Sequence, residues 1–273
     1  MLAMARSRVA SGVKAPGRAI SNWGWAVGGA VSGLVVATLV FAPARWLAAL
    51  VAQVTAGHVT LAQPRGTVWA GSAQLVLSGG ADSLGATALP GRVEWRLRPA
   101  LNQIHADVTA TCCMAQALHM LASPRWGGAR LSVADHQSNW PAGLLAGLGT
   151  PWNTVQAQGQ LLLSTQGLSV EWSQGRAAME GRLQVDALDM ASRLSTLKPM
   201  GSYRVTLTGG ALNTLQLDTL AGSLQLTGTG QWVGGRLRFE GVASAAPDRL
   251  EALSNLLNII GRRDGARSVI KVG

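Results

Sequence analysis

Four histidines, at positions 58, 105, 119 and 136, are the side chains of this sequence best suited to moving protons or binding a metal. None stands in the H-x-x-x-H or H-E-x-x-H spacing that brings two imidazoles onto one helix face around zinc. Each falls in or beside a segment that alternates polar and apolar residues. No G-x-S-x-G elbow, phosphate-binding loop or dinucleotide fingerprint occurs. Asp186 and Asp189 pair two carboxylates at the end of an alternating run, with no supporting group near them in sequence. A nucleophile, its base and an orienting partner cannot be assembled, so the sequence reads as a protein without a catalytic centre, metal or cofactor.

The remaining reactive groups are two adjacent cysteines, Cys112 and Cys113. An oxidising compartment favours joining them. Neighbours in a strand point to opposite faces, which favours two separate thiols. A bond between neighbours closes a small ring and fits best at a turn. Both readings stand, with the vicinal disulfide slightly preferred.

The elements that hold these residues begin with an uncharged run, Trp23 to Ala42 (WGWAVGGAVSGLVVATLVFA). About 20 residues at 1.5 Å each cross a hydrocarbon layer of about 30 Å. Trp23 and Trp25 sit where an interfacial anchor belongs, and Arg6, Arg8, Lys14 and Arg18 precede the run. That bias holds residues 1–22 in the cytoplasm as a basic tail and places everything after the span outside. Ala42-Pro43-Ala44 also resembles a small-x-small cleavage site, but the apolar run and its leader are long for a signal peptide. Gly29, Gly33 and Ala37 recur at four-residue steps, with Gly24 and Gly28 beside them, the spacing that lets a second helix approach closely. Residues 43–57 read as a short juxtamembrane helix at the outer membrane surface, from Trp46, Leu47, Leu50, Val51 and Val54.

From residue 58 to residue 273 the period changes to two. Ser72–Ser78, Arg92–Arg98, Ile104–Thr109, Ser169–Ser173, Arg182–Asp186, Ser202–Thr208, Thr214–Asp218, Ser223–Thr227 and Arg236–Glu240 alternate, as does Thr67-Val68-Trp69. Glycine-rich turns separate them, predicting an antiparallel meander with one buried face. Pro247–Gly261 predicts a helix, with Asp248 and Glu251 in its first turn and a stripe of Leu250, Leu253, Leu256, Leu257 and Ile260. Pro141–Gly147 suggests a single helical turn. Loose rhymes between segments suggest two similar halves joined near residue 150. The fold class is therefore mainly β: one transmembrane helix, then a curved antiparallel sheet forming a barrel, sandwich or open trough, with one C-terminal helix. Trp69, Trp95, Trp172 and Trp232 lie in or near alternating runs, and a sealed core is their default place.

The formal charge of +10 raises the question of nucleic acid. Its distribution argues against it: no acidic residue precedes Asp82, and beyond that the signs are interspersed rather than gathered into a basic, aromatic patch.

Three patches then resemble one family. Gly66-Thr67-Val68-Trp69-Ala70-Gly71-Ser72-Ala73 looks like the G-T-x-W-x-G-x-A signature of type II secretion system protein N, also called general secretion pathway protein N. Gly147–Thr154 (GLGTPWNT), with Pro151, Trp152 and Asn153, is similar to a motif of many members. Gly230–Gly241 (GQWVGGRLRFEG), with Gly230, Trp232, Gly235 and Gly241, resembles a third, and Leu256–Gly265 follows it. The resemblance implies a non-enzymatic inner-membrane component of a machine that expels folded proteins from the periplasm. Its partners would be inner-membrane proteins of the assembly platform and membrane lipid. It also implies kinship with AsmA-like bent sheets, whose apolar grooves handle lipid; envelope lipid binding or transfer is the alternative function.

Overall fold

The computed structural model describes residues 22–80, 85–150 and 152–273. Nearly all of the basic tail (1–21) and Pro151 therefore lie outside the described residues. The chain divides into two compact units, Met1–Ala42 and Pro43–Gly273.

In the first unit α1 runs from Asn22 to Val40. Its window Trp23–Val40 is long and apolar enough to cross a membrane, and none of it is buried. A helix satisfies its backbone polar groups internally, the condition for placing so uncharged a segment in lipid.

The second unit opens with α2, Ala44–Val54, entered from Pro43 in an extended conformation. The Thr55 hydroxyl stops the helix: it donates to the Val51 carbonyl at 2.8 Å and accepts the Val59 amide at 3.2 Å. The strands follow as β1 (Val59–Gly66), β2 (Ala70–Ser78), β3 (Ala86–Ala88), β4 (Val93–Ala100), β5 (Gln103–Ala110), β6 (Leu118–Arg125), β7 (Gly128–Val133) and β8 (His136–Pro141). A 3-10 helix (Ala142–Leu148) and a single turn, α3 (Trp152–Val155), lead into two long strands, β9 (Gln158–Ser173) and β10 (Arg176–Ala191). Then come β11 (Gly201–Thr208), β12 (Thr214–Gly222), β13 (Leu224–Val233), β14 (Arg236–Ala245), a 3-10 turn (Pro247–Arg249), α4 (Leu250–Ile260), β15 (Arg262–Asp264) and β16 (Arg267–Val272).

All strands join one antiparallel sheet in the order β1-β2-β4-β5-β6-β7-β9-β10-β11-β12-β13-β14-β16-β15, with β3 on β2 and β8 on β9. The path has two ends, so the sheet is open: neither a closed barrel nor a sandwich. It also continues across the segment around residue 150, where β7 and β8 share the edge of β9. Thr67-Val68-Trp69 is a turn between β1 and β2 rather than a strand.

Cross-strand register makes one face apolar from end to end. Ala73, Trp95 and Leu97 continue into Val108, Leu131, Val170, Leu183, Val205, Leu217, Leu226 and Ala243 across directly paired or same-parity positions. The inter-strand ion pairs Arg98–Asp107, Arg130–Glu180, Arg204–Asp186 and Lys271–Glu240 all stand on the opposite face. The sheet curls toward its apolar side. The 3-10 helix Ala142–Leu148 packs on β2, β3 and β9, although β2 and β9 are five strand steps apart in the sheet. Five steps of a flat sheet would separate them by about 24 Å.

Buried side chains gather where short helices cover the apolar face. Ala44 of α2 packs with Ala73 and Trp95. Leu144 of the 3-10 helix packs with Leu89, Ala110 and Cys113. Leu253, Leu256 and Leu257 of α4 pack with Met190, Met200, Tyr203, Leu224 and Ala243. The leucine stripe expected of the C-terminal helix is thus the lid of the largest cluster.

Candidate functional site: an uncovered apolar face with aromatics seated on glycine

The first motif builds a turn and a seat. Gly66 adopts φ +85, a conformation that favours glycine. Thr67 closes the turn, its hydroxyl accepting the Ala70 amide at 3.1 Å and its own amide donating to the Ala70 carbonyl at 2.9 Å. Leu97 of β4 donates its amide to the Trp69 carbonyl at 2.6 Å, fastening the turn to the sheet. Gly71 pairs directly with Trp95. A Cβ at Gly71 would stand 2.6 Å from Trp95 Cζ2 and 2.6 Å from the Arg65 carbonyl oxygen. The indole therefore lies over a bare backbone, and its Nε1 donates to the Val68 carbonyl at 3.0 Å.

The third motif repeats the device. Gly230 pairs with Phe239, and Cβ atoms at Gly230 and Gly241 would approach that ring at 3.2 and 3.0 Å. Gly228 faces the same ring so closely that any side chain would meet Phe239 Cζ. Gly234 and Gly235 form the two-residue hairpin, both at positive φ, as a primed turn requires. An aromatic ring laid over glycine restores the apolar area that the glycine lacks. In the middle motif, Gly147 abuts the Leu77 carbonyl, where only glycine fits, and Asn153 donates its amide to the Gly149 carbonyl at 3.0 Å. Trp152 is 41% exposed. The three motifs do not converge on one pocket; they are local devices that shape and turn the sheet.

Of the four tryptophans expected in a sealed core, only Trp95 is buried, while Trp172 is 46% exposed and Trp69 and Trp232 are half-buried. The reason is the open sheet: among the described residues, no helix covers the stretches of the apolar face that hold Trp172 and Trp232. Cys112 and Cys113 are bonded to each other in the loop between β5 and β6, Cys112 exposed and Cys113 buried against Leu144. Gly29, Gly33 and Ala37 lie on α1, and nothing comes within 4 Å of a Cβ placed at either glycine.

The titratable groups form structural pairs. Asp186 lies within β10, not at its end, and takes both Arg204 Nε and Nη2 at 2.7 Å. Those hydrogen bonds hold its carboxyl below the usual carboxylate value against the opposing cost of burial. Asp107 accepts from Arg98 and stands 2.7 Å from His119 Nδ1, and the hydrogen bond with His119 is the main force lowering its carboxyl. Burial pushes the Tyr203 phenol up, and its hydroxyl has no partner among the described residues. Among those residues no three histidine, cysteine or acidic side chains gather as a metal site. Sequence reading missed the seated rings, Gly228 and both carboxylate pairs, because each needs cross-strand register; the signal available was parity within the alternating runs.

These features define a class: an all-antiparallel open sheet headed by a helix with the length and composition of a membrane span. The family model for type II secretion system protein N matches residues 57–270, and the chain belongs to that family, a component of the type II secretion system. Membership implies contact with other components of that system. No curated protein and no solved structure matches the chain significantly.

Proposed function

We propose that the protein is a non-enzymatic inner-membrane component supporting export of folded proteins from the periplasm across the outer membrane. The observation that carries this reading is the family match over residues 57–270. The basic residues ahead of the apolar run support an N-terminus in the cytoplasm and a periplasmic sheet. In this role the sheet is a scaffold and α1 its tether, with Gly29, Gly33 and Ala37 a contact face for another membrane helix. Cross-linking in intact cells tests it. Adducts between the sheet unit and inner-membrane proteins of the assembly platform are the expected result; adducts confined to unrelated envelope proteins refute it.

A second reading rests on the part of the apolar face that no helix among the described residues covers, including Trp172 and Trp232. A concave apolar strip of this kind suits acyl chains. Lipid extracted from the purified chain in stoichiometric amount supports a lipid carrier. Substoichiometric lipid leaves the scaffold alone.

A further inference from the structure

Antiparallel order sends alternate turns to the same end of the strands. One end carries the 3-10 helix Ala142–Leu148, the loop between β10 and β11, and α4, and there the apolar face is sealed. The other end carries the turns β1–β2, β4–β5, β6–β7, β9–β10, β11–β12 and β13–β14. The turn tips at this second end hold the most exposed large apolar residues of the sheet: Leu101 at 111%, Trp126 at 102% and Leu212 at 63%. Single exposed apolar residues are ordinary, but a row of them along one rim marks an interaction site.

Charge follows the same rim. Arg65, Arg125, Arg176 and Arg236 adjoin four of these turns, and no acidic residue lies within two positions of any of the six. The chain also enters the sheet unit here, since Pro43 bridges to Thr67 in the β1–β2 turn. Residues 41–43 alone join α2 to the end of α1 at Val40. Three residues reach at most about 10 Å, so a span in the bilayer keeps this entry point close to the lipid surface.

We propose that this rim docks on the membrane, with the tips of Leu101, Trp126 and Leu212 in the interfacial layer and the arginines on anionic lipid headgroups. Tryptophan and arginine are the side chains such an interface selects, one for its apolar ring with a polar edge, the other for phosphate. The part of the apolar face at this end that α2 leaves exposed, around Trp172 and Trp232, then opens toward lipid. The inference rests on reading Trp23–Ala42 as a span.

The test uses the full chain in vesicles of phosphatidylcholine and phosphatidylglycerol, with acyl-brominated lipid as the quencher. The Trp126→Phe variant isolates the emission of that residue by difference, and the conservative change at an exposed tip preserves the fold. Bromolipid is expected to cut that emission about two-fold or more, as for an interfacial tryptophan. Replacing Arg125 and Arg176 with Gln should lower the quenching toward its value in phosphatidylcholine alone. A chain that floats with the vesicles while Trp126 stays unquenched overturns rim docking and leaves the span intact. Failure to float overturns both. Equal quenching with and without phosphatidylglycerol removes the arginines from the proposal.

Discussion

Replacing Gly71 with Ala tests the seating of Trp95. The new methyl would lie 2.6 Å from Trp95 Cζ2 and from the Arg65 carbonyl, and 2.9 Å from the Thr67 carbonyl. Two of these neighbours are backbone, so the β1–β2 turn must move and the indole must tilt. Overpacking of this kind costs about 1–3 kcal/mol. Tilting also breaks the 3.0 Å bond from Trp95 Nε1 to the Val68 carbonyl, worth about 1 kcal/mol. The sum is about 2–4 kcal/mol, which for a unit of this size lowers Tm by roughly 5–15 °C. The assay is thermal unfolding of the full chain in detergent micelles, followed by circular dichroism of the sheet. Trp95→Phe serves as comparison: it removes the donor but keeps a ring over Gly71, so its cost should be about 1 kcal/mol. Gly71→Ala melting within about 1 °C of the parent, a shift that corresponds to well under 1 kcal/mol, would refute the account.

Asp186 has a carboxyl lowered by Arg204, so its pairing stabilises the fold above the unfolded carboxylate value and fades as pH falls through the folded one. Asp186→Asn should therefore cost about 2 kcal/mol at pH 7 in denaturant titrations, a value between exposed and buried pairs, and progressively less as pH falls below the ordinary carboxylate value. Gly33→Leu should weaken association of α1 with a partner helix, read by cross-linking in the membrane, without reducing membrane insertion. The mass of the unreduced chain should be two hydrogens below that of the reduced chain, with Cys112 and Cys113 in one bridged peptide.

The sequence made some elements plain and hid others for physical reasons. The helix at Leu250–Ile260 is announced by Pro247, the acidic first turn and the leucine stripe, and the structure buries Leu253, Leu256 and Leu257 as that stripe requires. The hairpin at Gly234–Gly235 is equally plain. The 16-residue strands β9 and β10 were legible only in pieces. Near Gly167 and Gly181 the register shifts by one residue, which breaks the period of two. β8 gave no strand signal because His136, Ser138 and Trp140 share its inward face, a mixture that alternation of polarity does not flag. Asp186 looked stranded at a run's end because its partner Arg204 comes 18 residues later and meets it only across the β10–β11 pair. The motifs themselves were visible as strings, yet their meaning was not: Gly71 and Gly230 matter through the rings that lie on them.

The order of strands in the sheet nearly repeats their order in the chain, with short departures at β3, β8 and β15. Such a sheet can grow by accretion, because each new strand needs only the one made just before it. Loop closures stay short, contact order stays low for so large a β protein, and no early strand waits long for a distant mate. A chain threaded out N-terminus first from its site of synthesis would present α2, β1 and β2 as the template and finish with α4 and β16. The last leucines to arrive would then close the largest cluster of a sheet already in place.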